Sequence, residues 1–112
     1  TNDEQSRQRD AWIGVQRGHS IANNIPVIAI NRVGHELDPS GQSKGIDFWG
    51  HSFITGPQGE FLAHADHQDE CPVVAELDLN RLEAVRRIWP YFRDRRIDEY
   101  KGLDKRYLGD KK

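Results

Sequence analysis

The residues best suited to chemistry gather in one short stretch, where His64, Asp66 and His67 precede Cys71. Imidazole, carboxylate and thiolate groups are the usual ligands of zinc. If His64 lies on a strand, however, His67 belongs to the turn that follows, and no second pair of ligands is available. We therefore interpret the stretch as the polar end of a hairpin, and we predict no metal site and no cofactor.

Cys71 is the one cysteine of the chain, which makes it a candidate nucleophile. A reactive thiol needs an electropositive environment that lowers its pKa. The residues just before it, Asp69 and Glu70, have the opposite effect, so we interpret Cys71 as an ordinary turn thiol. A single cysteine excludes an intrachain disulfide and indicates a reducing compartment, which we predict to be the cytoplasm.

Two further histidines lie on predicted regular elements. His19 falls on the apolar stripe of the first helix, so we interpret it as a packed or hydrogen-bonded core residue rather than a site residue. His51 shares a predicted strand with Trp49 and Phe53. There it either lines a pocket or pairs across the sheet, and packing is the favoured interpretation.

Asn31 and Arg32 end the first predicted strand, and α/β folds place ligand-contacting groups at such strand ends. Arg32 could equally anchor the loop that follows. Glu36 and Asp38 in that loop could attract a cationic amine, although solvated loop charge is the simpler interpretation. Three arginines near the end of the chain could bind phosphate, but interleaved acidic residues favour an ion-paired tail; they are Arg93, Arg95 and Arg96.

Periodicity and turn residues predict the elements that position these groups. The expected order is a helix over residues 1–24, strands over 26–31, 48–55, 61–65 and 72–77, and a second helix from an Asn80 N-cap to Trp89, before Pro90. Residues 33–47 are polar and rich in glycine, which predicts a loop. Thr1 and Glu4 have the spacing of a capping box.

The first predicted helix has an apolar face with steps of three and four residues, formed by Ala11, Trp12, Val15, Gly18, His19 and Ala22. A glycine inside a helix costs about 1 kcal/mol relative to alanine. Gly18 on this face therefore predicts the close approach of another backbone.

Composition limits the class of protein. The 112 residues allow one small domain, and a net charge of −2 gives no support for nucleic-acid binding. No apolar run is long enough for a membrane span, and the first ten residues lack the apolar core of a signal peptide. With 36% apolar and 30% charged residues and no methionine, we expect a processed or excised piece of a larger protein.

Four runs of residues, in order and at compatible spacing, resemble the nitrilase superfamily of carbon–nitrogen hydrolases. They are QRGHSIANNIPVIAINRVG (16–34), FWGHSFITGPQGEFL (48–62), VVAELDLNRLEAVR (73–86) and WPYFRDRRIDEY (89–100). Within that superfamily the chain looks most similar to the branch of N-carbamoylputrescine amidases. Nearly the whole chain is covered by the resemblance.

This resemblance implies a fold class: α/β, with residues 1–112 as the C-terminal portion of a nitrilase-like α-β-β-α sandwich. The family uses a Glu, a Lys and a nucleophilic Cys, all in the part of its domain that would precede Thr1. The parent protein would therefore hydrolyse a small-molecule amide or N-carbamoyl compound through a Cys thioester. This chain alone would be inactive, with no catalytic residue of its own.

The resemblance also implies partners. The missing N-terminal portion of the same domain would cover the sheet, and a second copy of the protein would form a homo-oligomer. Asn31 and Arg32 would border the substrate pocket. Candidate residues of the subunit interface lie on the first helix and in the tail; they are Trp12, Val15, His19, Trp89, Tyr91 and Tyr100. The alternative is a non-catalytic structural or oligomerisation module.

Overall fold

A computed structural model of the chain describes residues 2–109. These residues form two α-helices, five short strands and one 3₁₀ helix, and this mixture of helix and sheet is of the predicted α/β class. The elements are α1 (Asn2–Asn23), β1 (Ile28–Ala29), β2 (Val33–Glu36), β3 (Ile46–Trp49), β4 (Phe53–Thr55), β5 (Phe61–His64), α2 (Leu79–Ile88) and the 3₁₀ helix Ile97–Glu99. The proposed capping role of Thr1 lies outside the described residues.

The central strand β4 is buried along its whole length between its antiparallel neighbours β1 and β5. Ile28 is paired with Ile54, and Phe53 is paired with both Ala29 and His64. The turn at residues 56–59 joins β4 to β5, which confirms the hairpin predicted for this stretch. Within the described chain, β1 and β5 are the two edges of this sheet.

Helix α1 covers one face of the three-stranded sheet. The Trp12 ring packs edge-to-face against Phe53, with 5.9 Å between ring centroids. At the other end of α1, the fully buried Ser20 hydroxyl lies 2.6 Å from the Ile25 carbonyl and 2.8 Å from the Gly56 carbonyl. The Thr55 hydroxyl donates to Ser20 Oγ at 3.0 Å. This network fixes the end of the helix on the β4–β5 turn.

The outward face of α1 corrects two predictions. His19 is exposed, so the interpretation of this residue as part of the core is wrong. A Cβ at Gly18 would meet no atom within 4 Å, so no second backbone from the described residues approaches there. The buried face is set partly by polar residues, Ser20 and Asn24, which hydrogen-bond to backbone carbonyls. Hydrophobicity alone therefore misplaces it.

The predicted loop over residues 33–47 is also wrong, because β2 and β3 form an antiparallel hairpin within and just beyond it. The glycines that suggested a loop supply unusual backbone angles inside the hairpin. Gly45 has φ +97°, and a Cβ there would collide with the Glu36 carbonyl. A positive φ favours glycine at such a position, but it does not prevent the neighbouring residues from pairing in a sheet.

The single strand predicted over residues 48–55 is divided into two. Gly50 and His51 both take left-handed backbone angles, with φ of +62° and +57°. A non-glycine residue with positive φ is uncommon and interrupts a pleated strand. The chain therefore leaves the β2–β3 hairpin at this junction and enters the main sheet as β4.

Residues 72–77 do not form the strand that their apolar sequence predicts. Val74 is 83% exposed, between the half-buried Val73 and Ala75. The alternation of a strand is present, but within the described chain the residues pair with no neighbour. The third strand of the sheet is β1 instead.

Helix α2 begins two residues earlier than predicted. Its N-cap is Asp78, whose carboxylate accepts hydrogen bonds from the backbone N–H groups of Asn80 and Arg81. The prediction that Asn80 is the N-cap is therefore wrong. The last helical residue is Ile88, and Trp89 is the C-cap immediately before Pro90, which confirms the predicted end near Trp89.

The tail beyond α2 is held by local ion pairs, as predicted. Arg93 pairs with Asp94 at 3.0 Å, and Arg96 pairs with Asp98 at 2.8 Å. Arg95 instead stacks over the Phe92 ring. The hydrophobic core is small, since the buried hydrophobic residues among residues 2–109 are Ala29, Phe53, Ile54 and Val85.

Candidate functional site

An open cleft of about 950 Å³ lies between the first turns of α1, the β2–β3 hairpin and the segment after β5. Its walls are largely polar and aromatic. The side chains that matter most to its chemistry are Gln5, Gln8, Arg9, His35, Asp47, Trp49, His51 and His67. A concave site with convergent polar groups is the usual form of a small-molecule binding site.

The α1 wall of the cleft was not identified from the sequence, although a signal exists. Gln5, Gln8, Arg9 and Trp12 follow one another at steps of three, one and three residues, which places them on one helix face. Apolar periodicity does not indicate this face, because most of its residues are polar. The cleft shows that this face is turned toward the hairpin, where the Trp12 ring meets Trp49 with 6.1 Å between centroids.

His51 forms the floor between the two sheets. Its backbone N–H donates to the Asp66 carbonyl at 3.0 Å, which holds the left-handed junction in place. Its ring Nδ1 lies 3.2 Å from Nε2 of His64, and its ring plane is nearly parallel to that of His67. The residue thus lines the cleft and also pairs across the sheet, so both alternatives considered for it are realised.

The pKa of His51 is lowered from its ordinary value near 6.5. Burial is the largest cause, because it disfavours the charged imidazole, and the nearby Arg9, His64 and His67 act in the same direction. Two buried nitrogens on this wall, His51 Nε2 and Trp49 Nε1, have no hydrogen-bond partner within the described chain. Such unpaired buried groups are rare in folded proteins and occur at functional sites.

The hairpin wall contains a second perturbed histidine. His35 Nδ1 lies 2.6 Å from the Asp47 carboxylate, and its Nε2 lies 2.6 Å from the Lys44 carbonyl. The Asp47 hydrogen bond raises the pKa of His35, with a further contribution from the Lys44 carbonyl. Two acceptors on opposite ring nitrogens favour the doubly protonated ring.

Asn31 and Arg32 lie behind the floor of the cleft. The Asn31 side-chain amide donates to the Gly50 carbonyl at 3.0 Å, so it supports the turn that carries His51. The Arg32 guanidinium covers the Phe48 ring and forms an ion pair with Glu36. Their role as a wall of the substrate pocket stays a prediction.

The acidic residues suggested for a cationic amine have structural partners. Glu36 is paired with Arg32. The Asp38 carboxylate accepts hydrogen bonds from the backbone and hydroxyl groups of Ser40 and Ser43, and these bonds lower its pKa. Both residues therefore order the hairpin and its loop. The acidic group that lines the cleft is Asp47.

The local structure separates the side chains that suggested a metal site. His64 and His67 approach His51, whereas the Asp66 carboxylate accepts hydrogen bonds from the backbone N–H groups of Gln68 and Asp69. Cys71 is exposed. Within residues 2–109, no three or more His, Cys, Asp or Glu side chains are arranged to hold a metal ion.

The cleft can bind and orient a ligand, but its lining contains neither a cysteine nor a lysine. It can supply hydrogen bonds, an aromatic wall and imidazoles whose protonation differs.

No helix in the described part of the chain has the length and apolar character needed to cross a membrane.

None of the predicted interface residues lines the cleft, and Trp12 is half-buried against Trp49 and Phe53. Val15 is exposed on α1. The tail residues Trp89, Tyr91 and Tyr100 are exposed as well, and the first two stack with 6.2 Å between their rings. Their role in a subunit contact stays a prediction.

Three comparisons bear on identity. The profile of the family described as carbon-nitrogen hydrolase matches residues 1–87. The N-carbamoylputrescine amidase of Arabidopsis thaliana is 46% identical over 97 residues, which are 85% of this chain and 32% of that protein. The chloroplastic omega-amidase of the same plant is 42% identical over 101 residues, which are 89% of this chain and 25% of that protein.

A solved structure gives the same result in three dimensions. The crystal structure of a carbon-nitrogen hydrolase from Helicobacter pylori G27 superposes with a TM-score of 0.91 and 57% sequence identity, covering 96% of this chain and 37% of that one. The chain thus spans about a third of the length of the relatives that it matches. The resemblance in the four runs of residues is confirmed, and the chain belongs to the carbon–nitrogen hydrolase family.

Proposed function

We propose that this chain is the C-terminal part of an amidase that cleaves N-carbamoylputrescine. The observation that carries the proposal is its 46% identity to a relative named N-carbamoylputrescine amidase. Hydrolysis of this substrate consumes water and yields putrescine, carbon dioxide and ammonia, so the enzyme would act in polyamine biosynthesis. The unpaired Cys71 supports a cytoplasmic location.

The proposed chemistry belongs to the N-terminal portion of the domain. There the family's Glu activates a Cys thiol, which attacks the carbonyl carbon while a Lys stabilises the tetrahedral intermediate. Ammonia leaves and a carbamoyl thioester remains. Water then cleaves its C–S bond, which regenerates the thiol and releases a carbamic acid, and this acid loses carbon dioxide to give putrescine. Cys71 takes no part, since it is exposed in the segment between β5 and α2 and absent from the cleft lining.

This chain would contribute one wall of the substrate site. Arg9, Asp47, Trp49 and His51 already converge on the cleft, where the catalytic portion would complete the enclosure. Asp47 pairs with His35 through Oδ1, but its side chain is 75% exposed, so its second carboxylate oxygen would contact the cationic end of putrescine. Asn31 would keep the floor in position through its bond to the Gly50 carbonyl.

The missing N-terminal portion is the first proposed partner, and the incomplete core supports it. Ile28 and Ile30 are 61% and 84% exposed on the first strand and its continuation. Helix α1 covers the sheet face that carries Phe53. Ile28 pairs with Ile54, the residue next to Phe53, so Ile28 lies on the opposite face. A second sheet packed on that face would build the sandwich.

A second copy of the protein is the other proposed partner. Exposed aromatic side chains follow α2 in close succession, at Trp89, Tyr91, Phe92 and Tyr100. Aromatic residues are enriched in the buried centres of protein interfaces. We place the homo-oligomer contact on this tail and on the outward α1 face at Val15 and His19.

The test is ammonia release by the complete protein supplied with N-carbamoylputrescine, beside a panel of ω-amides. The proposal predicts the highest kcat/KM for N-carbamoylputrescine, and it predicts that Asp47→Asn raises KM for this cation. Gln42→Ala, in the exposed hairpin loop, is the matched control. Preference for an ω-amide would reject the substrate. Absence of a Glu, a Lys and a Cys upstream of Thr1 would reject the enzyme and favour the structural module.

A further inference from the structure

Three histidines from different parts of the chain meet at the floor of the cleft. His51 occupies the junction between β3 and β4, His64 ends β5, and His67 lies in the segment after β5. The ring of His51 is 5.2 Å from that of His64 and 5.9 Å from that of His67, measured between centroids. The three rings connect the floor of the cleft to the edge strand.

The contact between His51 and His64 depends on protonation. Nδ1 of His51 and Nε2 of His64 are 3.2 Å apart, so one must carry a proton and the other a lone pair. If both rings are doubly protonated, two N–H groups face each other and the hydrogen bond cannot form. The pair therefore tolerates at most one added proton.

The surrounding charges oppose the addition of protons. Arg9 approaches from α1, and His67 stacks on His51 from the segment after β5. Asp66 is the acidic residue that acts on His51 in the opposite direction, but its carboxylate already accepts bonds from the N–H groups of Gln68 and Asp69. The amount by which Asp66 raises the pKa of His51 is the smallest of these charge effects.

The junction between β3 and β4 is held on its other side by the Asn31 side-chain amide, which donates to the Gly50 carbonyl at 3.0 Å. Gly50 and His51 both have left-handed φ, a conformation that costs free energy in a non-glycine residue and persists only when surrounding contacts enforce it. Besides the ring contacts, backbone bonds from Gly50 N–H to Arg32 O and from His51 N–H to Asp66 O fix it.

We propose that His51, His64 and His67 form an acid-sensitive latch, in which acid that protonates both His51 and His64 breaks their hydrogen bond and loosens the floor of the cleft. The wall formed by Trp49 and His51 then opens, and it closes again when the pH returns to neutrality. This device does not depend on which substrate the enzyme takes.

The sign of the pH effect follows from the direction of the pKa shift. The pKa of His51 in the folded chain is below its unfolded value near 6.5. The stability that neutral His51 gives the floor is present above pH 6.5 and is lost as the pH falls through the lower, folded-state pKa.

Hydrogen–deuterium exchange of the complete protein tests the latch without reference to hydrolysis. Exchange rates, corrected for intrinsic pH dependence, are compared at pH 7.5 and pH 5.5 in peptides that cover residues 46–52. We expect acid to accelerate exchange in these peptides several-fold, because the His51–His64 contact no longer holds the segment. His64→Gln, which keeps a polar side chain but cannot gain a proton at these pH values, removes this acceleration, and His67→Gln reduces it.

Gln42→Ala is the control, because Gln42 is exposed in the hairpin loop and lies outside the histidine cluster. It should keep the full acid response. The proposal is overturned if the wild-type segment does not respond to acid, or if His64→Gln and His67→Gln respond as the wild type does. Should His64→Gln be unfolded at pH 7.5 by circular dichroism, His67→Gln alone decides the outcome.

Discussion

His35 lies between the Asp47 carboxylate and the Lys44 carbonyl, with 2.6 Å to each. Both ring nitrogens can donate only when the imidazole is charged. The pKa of His35 in the folded chain is therefore raised above its ordinary value near 6.5. Its contribution to the order of the hairpin is complete below pH 6.5 and is lost as the pH rises through the folded-state pKa.

Replacing Asp47 by Asn tests this assignment. The substitution removes the largest cause of the shift, so the pKa of His35 should fall toward 6.5. NMR titration of the His35 ring proton measures it directly. Glu36→Gln, which alters the neighbouring pair with Arg32, should leave this pKa unchanged. A His35 pKa at or below 6.5 in the wild type would contradict the assignment.

At the scale of the elements, α2 depends on its N-cap. Asp78→Ala removes the acceptor of two backbone N–H groups, and loss of such a cap costs about 1 kcal/mol. Asn80→Ala should cost much less, because Asn80 lies inside the helix. Chemical denaturation of the complete protein compares the two variants. Equal losses, or a larger loss for Asn80→Ala, would show that the cap is assigned incorrectly.

Local sequence signals predicted the elements whose boundaries are set locally. The four-residue turn at 56–59 marks the β4–β5 hairpin, and Pro90 ends α2 through its own covalent geometry. Long-range pairing carries no such local mark. The β2–β3 hairpin was missed because Gly34, Pro39, Gly41 and Gly45 interrupt the polar stretch 33–47. Residues 72–77 were assigned to a strand although nothing in the described chain pairs with them.

The candidate site was predicted in part for the same reason. His51 was considered as a pocket residue from its strand neighbours, but Arg9 and Gln5 were not considered at all. Their contribution depends on how α1 is rotated relative to the hairpin. Apolar periodicity indicated the wrong rotation, since the buried Ser20 and Asn24 satisfy backbone carbonyls rather than a hydrophobic contact.

At the scale of the whole molecule, this chain leaves much apolar surface exposed. Ile28 and Ile30 lie on the edge strand β1 and its continuation, on the sheet face that we propose the N-terminal portion of the domain covers. Exposed apolar patches and unpaired strand edges promote association. We therefore expect the isolated chain to self-associate at micromolar concentration in sedimentation-velocity experiments.

The double substitution Ile28→Lys and Ile30→Lys should shift the isolated chain toward the monomer. Leu37→Lys is the control, because Leu37 is equally apolar and 79% exposed but lies beyond β2 in the hairpin loop. It should leave the association unchanged. A wild-type chain that sediments as a folded monomer would contradict the assignment of this face to a missing portion.

We propose that this chain shapes the site of an amidase whose nucleophile lies elsewhere in the protein. The most direct test measures ammonia release from N-carbamoylputrescine by the complete protein, its Cys71→Ala variant and the isolated chain. We expect equal release by the first two and none by the third. Release by the isolated chain that is abolished by Cys71→Ala would contradict the claim.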